Sequence, residues 1–300
     1  MDPRAKSGKA DELLFLPLGG AGEIGMNMNL FGYRGRWLMV DCGVTFADEQ
    51  VPGVDVLMPD PGWIVDRADQ LDGLVLTHAH EDHIGAVPYL WERLRCKMWA
   101  TPFTAAVLKR KLQDVGLEDE ARIHVLKPGA RFKVGSHWDV EMVTLTHSIP
   151  EPNALLIRTP AGTVFHTGDW KLDPTPLVGQ AVDEAQLTKI GDDGVLACVG
   201  DSTNVFRAGV AGSGKRGARQ PPSSLSSATS SASSSPASPA TSHGSETVAA
   251  VAKATKRHAA LVGRSLWRIY EAAKETGYLR RHRAAFLSNS RPRNCRATRC

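Results

Sequence analysis

The 300 residues read as an α/β protein on three observations. Short apolar runs of strand length recur between residues 12 and 206, and amphipathic stretches of helical length lie between them. The histidines and aspartates best suited to chemistry fall directly after the apolar runs. Loops leaving strand ends can turn several side chains toward one point, so the third observation predicts a functional site along one sheet edge.

Leu74-Val75-Leu76 predicts a short buried strand, and Thr77 onward the loop that leaves its C-terminal end. That loop carries His78-Ala79-His80-Glu81-Asp82-His83, three imidazoles and two carboxylates in six residues. Thr104–Val115 has helical amphipathicity, Arg122–Leu126 strand character, and Lys127-Pro128-Gly129 marks a turn. Val140-Glu141-Met142-Val143-Thr144-Leu145 alternates as a half-buried strand does, and His147 follows it. Thr163-Val164-Phe165-His166-Thr167-Gly168 is a strand closing on a glycine, with Asp169 next.

Imidazole nitrogen and carboxylate oxygen are the donors that zinc and related divalent ions prefer. Scattered surface histidines would explain one or two of these residues, but not H-x-H-x-D-H behind a buried strand. The six-residue segment therefore reads as a metal site. Alone, His147 or Asp169 would read as structural or solvated; strand-end position beside a primary cluster makes both candidate ligands. An aspartate offers two oxygens and can bridge two cations, and metals about 3.5–4 Å apart serve phosphoester hydrolysis.

These residues, with Asp41 in Val40-Asp41-Cys42-Gly43, resemble the metallo-β-lactamase fold. Four further segments resemble one branch of it, the ribonuclease J family of the β-CASP group. They are Gly19–Asn27 (GGAGEIGMN), Thr146–Glu151 (THSIPE), Thr167–Lys171 (TGDWK) and Gly200–Asn204 (GDSTN). The match runs through residues 12–206 and is more specific than the histidine motif, which glyoxalases, lactonases and lactamases also carry. The resemblance implies an αββα sandwich, two mixed sheets with helices outside, interrupted by an inserted β-CASP domain. It implies one zinc on His78, His80 and His147, a second on Asp82 and His83, Asp169 bridging, and a hydroxide between the metals as nucleophile. Asp82 and Asp169 are thereby catalytic as well as ligating. Asp41 matches the family's aspartate behind the ligands. Asp201 matches an acidic residue paired with a histidine from the β-CASP region; by itself it also reads as a turn residue ahead of Ser202-Thr203-Asn204.

With 42% hydrophobic residues the chain can support one large domain or two, and no apolar run reaches the ~18 residues of a membrane span. Met1–Asp11 is polar without an apolar stretch, which argues against secretion and for the cytoplasm. Cys42, Cys96, Cys198, Cys295 and Cys300 lack a C-x-x-C pair and read as buried thiols rather than a disulfide frame.

Charge is unevenly spread. Of 36 Lys/Arg and 32 Asp/Glu, 17 and 3 fall in 207–300, a net +14; the remaining 19 and 29 give 1–206 a net −10. Such a basic half could be an RNA-binding arm. Composition argues otherwise. Residues 207–245 are Ser, Ala, Pro, Gly and Arg with almost no large apolar residue, too little to offset chain entropy. Thr247–Thr255 is helix-like, Ala259–Val262 strand-like, and Ser265 is placed to cap a helix ending at Gly277. Residues 246–279 again resemble a β-CASP fragment, and 280–300 form an Arg-rich tail without acids. A disordered linker is one explanation. Out-of-frame translation of a GC-rich gene is the other, and it better accounts for family-like sequence resuming on the far side; the +14 is then no adaptation to RNA.

The sandwich is expected to be incomplete here, lacking the family's last metal-site histidine and its phosphate-binding loop, and hence poorly soluble. His243, His258 and His282 read as solvated. The leading expectation is a zinc-dependent ribonuclease acting on RNA, exonuclease and endonuclease, homo-oligomeric in intact members of the family. A hydrolase of small esters or thioesters and a non-catalytic metal-binding fragment remain as alternatives.

Overall fold

The computed structural model describes residues 11–47, 49, 51–176, 178–206, 259–279 and 286–287. The chain divides into two compact units. The first comprises Met1–Leu145, Glu151–Trp170 and Asp183–Ala208; the second comprises Thr146–Pro150, Lys171–Val182 and Gly209–Cys300.

The first unit opens with β1 (Leu13–Gly19), β2 (Met28–Tyr33) and β3 (Arg36–Val40). A small pair, β4 (Thr45–Phe46) and β5 (Val56–Leu57), precedes α1 (Gly62–Val65) and β6 (Leu71–Val75). Then come α2 (Glu81–Ile84), α3 (Val87–Leu94), β7 (Met98–Ala100), α4 (Pro102–Gln113) and β8 (Ile123–Val125). Helix α4 starts two residues before the expected stretch because Pro102 suits the first helical turn, where its missing N–H costs nothing. The remaining strands are β9 (Arg131–Val134), β10 (Trp138–Thr144), β11 (Asn153–Thr159), β12 (Gly162–His166) and β13 (Ala197–Val199), with α5 (Glu184–Asp193) before the last.

Two mixed sheets result. One has the order β1-β2-β3-β6-β7-β8, the other β13-β12-β11-β10-β9. Strands β3, β6, β7 and β8 run parallel, as does the pair β12 and β13; the other neighbours are antiparallel. The core between the sheets sets Phe31, Tyr33, Leu38, Val40, Val75 and Trp99 against Trp138, Val140, Met142, Leu155, Ile157 and Val164. On the other face of the first sheet, Leu30, Met39, Leu74 and Met98 are also fully buried, which is why its strands read as continuous apolar runs. In β10 the alternation is real. Trp138, Val140 and Met142 point inward, while Glu141 accepts from Arg158 at 2.6 Å and from Gln186 of α5 at 3.2 Å on the outer face.

The topology sets the site. Parallel β3 and β6 end side by side, the Asp41 N–H donating to the Val75 carbonyl at 3.1 Å, so Asp41 and the loop from Thr77 leave the same edge. The second sheet delivers the end of β12 to that edge. Gly168, at φ +55°, stands so close that a Cβ there would lie 3.1 Å from the Asn153 carbonyl oxygen and 3.2 Å from Cβ of Thr77. Glycine allows both the approach and the backbone angle.

In the second unit, Thr146 and Lys171 form an isolated antiparallel bridge. Strand β14 (Ala259–Ala260) pairs parallel with β15 (Phe286–Leu287), and α6 spans Arg264–Glu275. Two expectations are corrected here. Ser265 does not cap α6: the helix begins at Arg264 behind Gly263 at φ +102°, and Ser265 already lies inside its first turn. The expected strand over 259–262 is only two residues long. Trp267 anchors the helix start instead, its indole N–H donating to the Leu261 carbonyl at 3.1 Å. At the other end Gly277 takes φ +85° and Tyr278 N–H reaches back to the Ala273 carbonyl, the expected glycine stop. The expected low-complexity segment 207–245, the helix over 247–255 and most of the tail 280–300 lie outside the described residues, as do His243, His258 and His282.

The cysteines divide. Cys42 and Cys96 are free and buried, whereas Cys198 is exposed, contrary to expectation, because β13 is the edge strand of its sheet; Cys295 and Cys300 fall outside the described residues. Burial pushes the Cys96 thiol up to about 12 and raises Cys42 as well. Among the described residues no helix is long and apolar enough to cross a membrane.

Candidate metal centre

The histidine loop is held by its main chain before any side chain acts. Cys42 N–H donates to the His83 carbonyl at 2.7 Å, and Asn27 N–H to the Asp82 carbonyl at 3.0 Å. Gly43 lies beneath that turn, where a Cβ would sit 1.6 Å from the Asp82 carbonyl oxygen. Only glycine fits this contact. His80 occupies the position before α2, so Glu81, Asp82 and His83 follow in a single helical turn and project in different directions. Glu81 turns away from the imidazoles to accept from Lys111 Nζ of α4 at 2.6 Å. That contact explains why the motif's middle carboxylate is absent from the ligand-atom groups below.

Asp41 is fully buried and sits at φ +61°, a left-handed conformation that an aspartate tolerates better than most residues. One carboxylate oxygen accepts from Thr77 N–H at 2.8 Å; the other accepts from Thr77 Oγ1 at 2.9 Å and lies 2.7 Å from His83 Nδ1. With Nδ1 committed to Asp41, His83 Nε2 is left facing Asp169 Oδ1 at 3.2 Å and Asp82 Oδ2 at 3.5 Å. Beside it, His78 Nε2 and His80 Nδ1 lie 3.0 Å apart, and the rings of His78 and His83 are 4.0 Å between centroids.

Ligand atoms of Asp82, His83 and Asp169 all lie within 4.8 Å of one another, as do those of His78, His80 and Asp169. Asp169 therefore belongs to both groups. The three histidines are buried and the two aspartates half-buried, so the donors line a partly open site. His147 lies in the Thr146–Pro150 segment of the second unit, on the turn from β10 to β11. Asp201 follows β13; its carboxylate accepts from Thr203 N–H at 2.8 Å, its own N–H donates to Thr167 Oγ1 at 3.0 Å, and its carbonyl accepts from the Trp170 indole at 3.2 Å. The turn role read for Asp201 is thus present.

The electrostatics favour a cation here. Burial alone would lower the His83 pKa, but the charge of Asp41, with hydrogen bonds donated to the carboxylates of Asp169, Asp41 and Asp82, holds it well above the ordinary histidine value. Burial pushes the Asp82 carboxyl up, and His83 more than offsets this, leaving it below the usual carboxylate range. His166, on β12, is lowered by burial. Imidazole and carboxylate donors around a point that attracts positive charge fit a divalent cation.

Three supporting residues had no assigned role in the sequence reading. Asn27 closes the glycine-rich Gly19–Gly25 segment, donates from Nδ2 to the Asp82 carbonyl at 3.1 Å and lies 3.3 Å from His83 Nε2. Thr77 holds Asp41. Glu151, buried at φ +56°, reaches across to accept from Phe103 N–H at 2.8 Å in the first turn of α4. Only its place in the Thr146–Glu151 segment hinted at a role.

The family described as "Beta-lactamase superfamily domain" matches residues 36–191. The chain is 43% identical to ribonuclease J of Sinorhizobium meliloti over 276 residues, covering 90% of this chain and 48% of that protein. It is 34% identical to ribonuclease J of Thermus thermophilus over 282 residues, covering 92% and 49%. The chain spans about half the length of these relatives. A solved protein of unknown function from Enterococcus faecalis V583 superposes with a TM-score of 0.61 at 16% identity, over 93% of this chain and 74% of that one, a likeness of fold alone.

Proposed function

The chain belongs to the beta-lactamase superfamily, and from that premise we propose that it is a zinc-dependent ribonuclease hydrolysing RNA phosphodiester bonds. The observation that carries the reading is the membership of Asp169 in both ligand-atom groups, the arrangement that a carboxylate bridging two cations requires. In this reading His78, His80 and His147 would hold one zinc ion, Asp82 and His83 would hold a second, and Asp169 would serve both. Bound there, the two cations supply Lewis acidity and bring the pKa of water near 7.

The protein's own groups do the rest. Asp41 fixes the ring of His83 through Nδ1, leaving Nε2 beside Asp169 and Asp82, with which it would hold a cation. Asp82 and Asp169 bring the negative charge that draws the cations in. Asp201 belongs to the same reading as a further catalytic residue, by its match to the family's acidic residue that pairs with a histidine of the β-CASP region. RNA as substrate is supported by similarity to proteins named ribonuclease J, and cleavage from a 5′ end together with internal cleavage belongs to the same reading, as does a cytoplasmic location.

The test is metal-dependent degradation of 5′-monophosphorylated RNA by the purified chain, abolished by chelator and by Asp82→Ala. Rapid turnover of a thioester or lactone with RNA untouched would replace this reading with that of a small-ester hydrolase.

A further inference from the structure

Thr146 immediately precedes His147, and Lys171 stands two residues beyond Asp169. Thr146 makes three hydrogen bonds between the two segments. Its carbonyl accepts from Lys171 N–H at 2.8 Å, its hydroxyl donates to the Lys171 carbonyl, and the same hydroxyl oxygen accepts from Asp173 N–H at 3.0 Å. Thr146 is 3% exposed. Around it the second segment is tightly folded: buried Asp173 accepts from Thr175 N–H at 2.9 Å and has Lys171 Nζ at 3.6 Å. A single oxygen thus acts as donor and acceptor between the stretch that carries His147 and the stretch that leaves Asp169. A side chain of the same shape without the oxygen cannot do this.

We propose that Thr146 is a positioning residue for the metal centre, its hydroxyl locking the His147 segment to the segment following Asp169. The inference rests on the zinc reading above. Groups that hold ligands in place are worth about ten- to a hundredfold in metal affinity. Thr146 is buried, so two substitutions separate the shape of its side chain from its hydroxyl. Thr146→Val keeps the shape and removes the hydroxyl; Thr146→Ser keeps the hydroxyl and removes the methyl.

The experiment measures zinc affinity of the intact chain by chelator competition, together with the electronic spectrum of the cobalt(II)-loaded protein, whose d–d bands report ligand number and symmetry. Zinc affinity of Thr146→Val should fall by about ten- to a hundredfold with an altered cobalt spectrum, and Thr146→Ser should match the unsubstituted chain in both. Thr146→Val matching the unsubstituted chain, or Thr146→Ser losing as much as valine does, overturns the proposal. Should the valine variant fail to fold, the serine variant decides: an unchanged spectrum and affinity support the lock, a weakened site refutes it. Absence of zinc binding by the unsubstituted chain would instead overturn the metal reading itself, and the two failures are thereby distinct.

Discussion

Asp41 and His83 stand forty-two residues apart in the chain and 2.7 Å apart at Oδ2 and Nδ1, both buried. The same carboxylate holds Thr77 through its amide and its hydroxyl. One residue after β3 therefore fixes both the start of the histidine loop and the ring of its last histidine. Asp41→Asn removes the charge while keeping an acceptor for Thr77. We expect zinc affinity to drop by about ten- to a hundredfold, measured by competition with a chelating dye; unchanged affinity would show that Asp41 serves the fold alone.

Metal content tests the ligand groups directly. The unsubstituted chain loaded with zinc and dialysed should carry close to two ions by elemental analysis. Asp169→Asn should reduce both sites, since Asp169 belongs to both groups, while His80→Ala should remove one ion. His124→Ala, on β8 where the ring stacks on Trp99 far along the sheet order, should leave the content unchanged. Equal loss in the His124 variant would mean that the assay reads folding and not ligation.

Glu151 offers a stability prediction. Its buried carboxylate accepts from Phe103 N–H in the first turn of α4, a position where the helix dipole favours negative charge. Glu151→Ala removes that buried acceptor and should cost about 1–3 kcal/mol in urea unfolding. Glu151→Gln retains an acceptor and should cost less. Similar losses in both variants would place the effect in the charge instead of the hydrogen bond.

His166 sets a pH dependence. Burial holds its folded-state pKa below the ordinary value, and its Nδ1 accepts from Gly168 N–H at 3.1 Å. As pH falls below about 6.5 the unfolded chain takes up a proton that the folded chain refuses, so stability is lost on acidification, by up to about 1.4 kcal/mol per pH unit, until the folded pKa is reached. His166→Asn, which keeps an acceptor for Gly168, should show a shallower loss between pH 7 and pH 5 in metal-free protein. Parallel profiles for the two proteins would rule out this contribution.

Much of the site was legible in the residues alone. Donor type is carried by side-chain type, and six residues of H-x-H-x-D-H behind an apolar run mark both a candidate ligand set and the strand end from which it projects. Alternation along Val140–Leu145 and the glycine after Thr163–Thr167 likewise marked real strands, because a period of two follows from backbone geometry whatever the partner strand is. Only the tertiary structure decided the partners. That His83 would turn its Nδ1 to Asp41, that Glu81 would spend its carboxylate on Lys111, and that Glu151 would cap α4 are choices between residues 30 to 48 positions apart. Local pattern encodes which face a side chain takes. The neighbour that waits on that face is set by how two sheets and their loops pack, so the supporting contacts emerged only once the strand ends had been brought together.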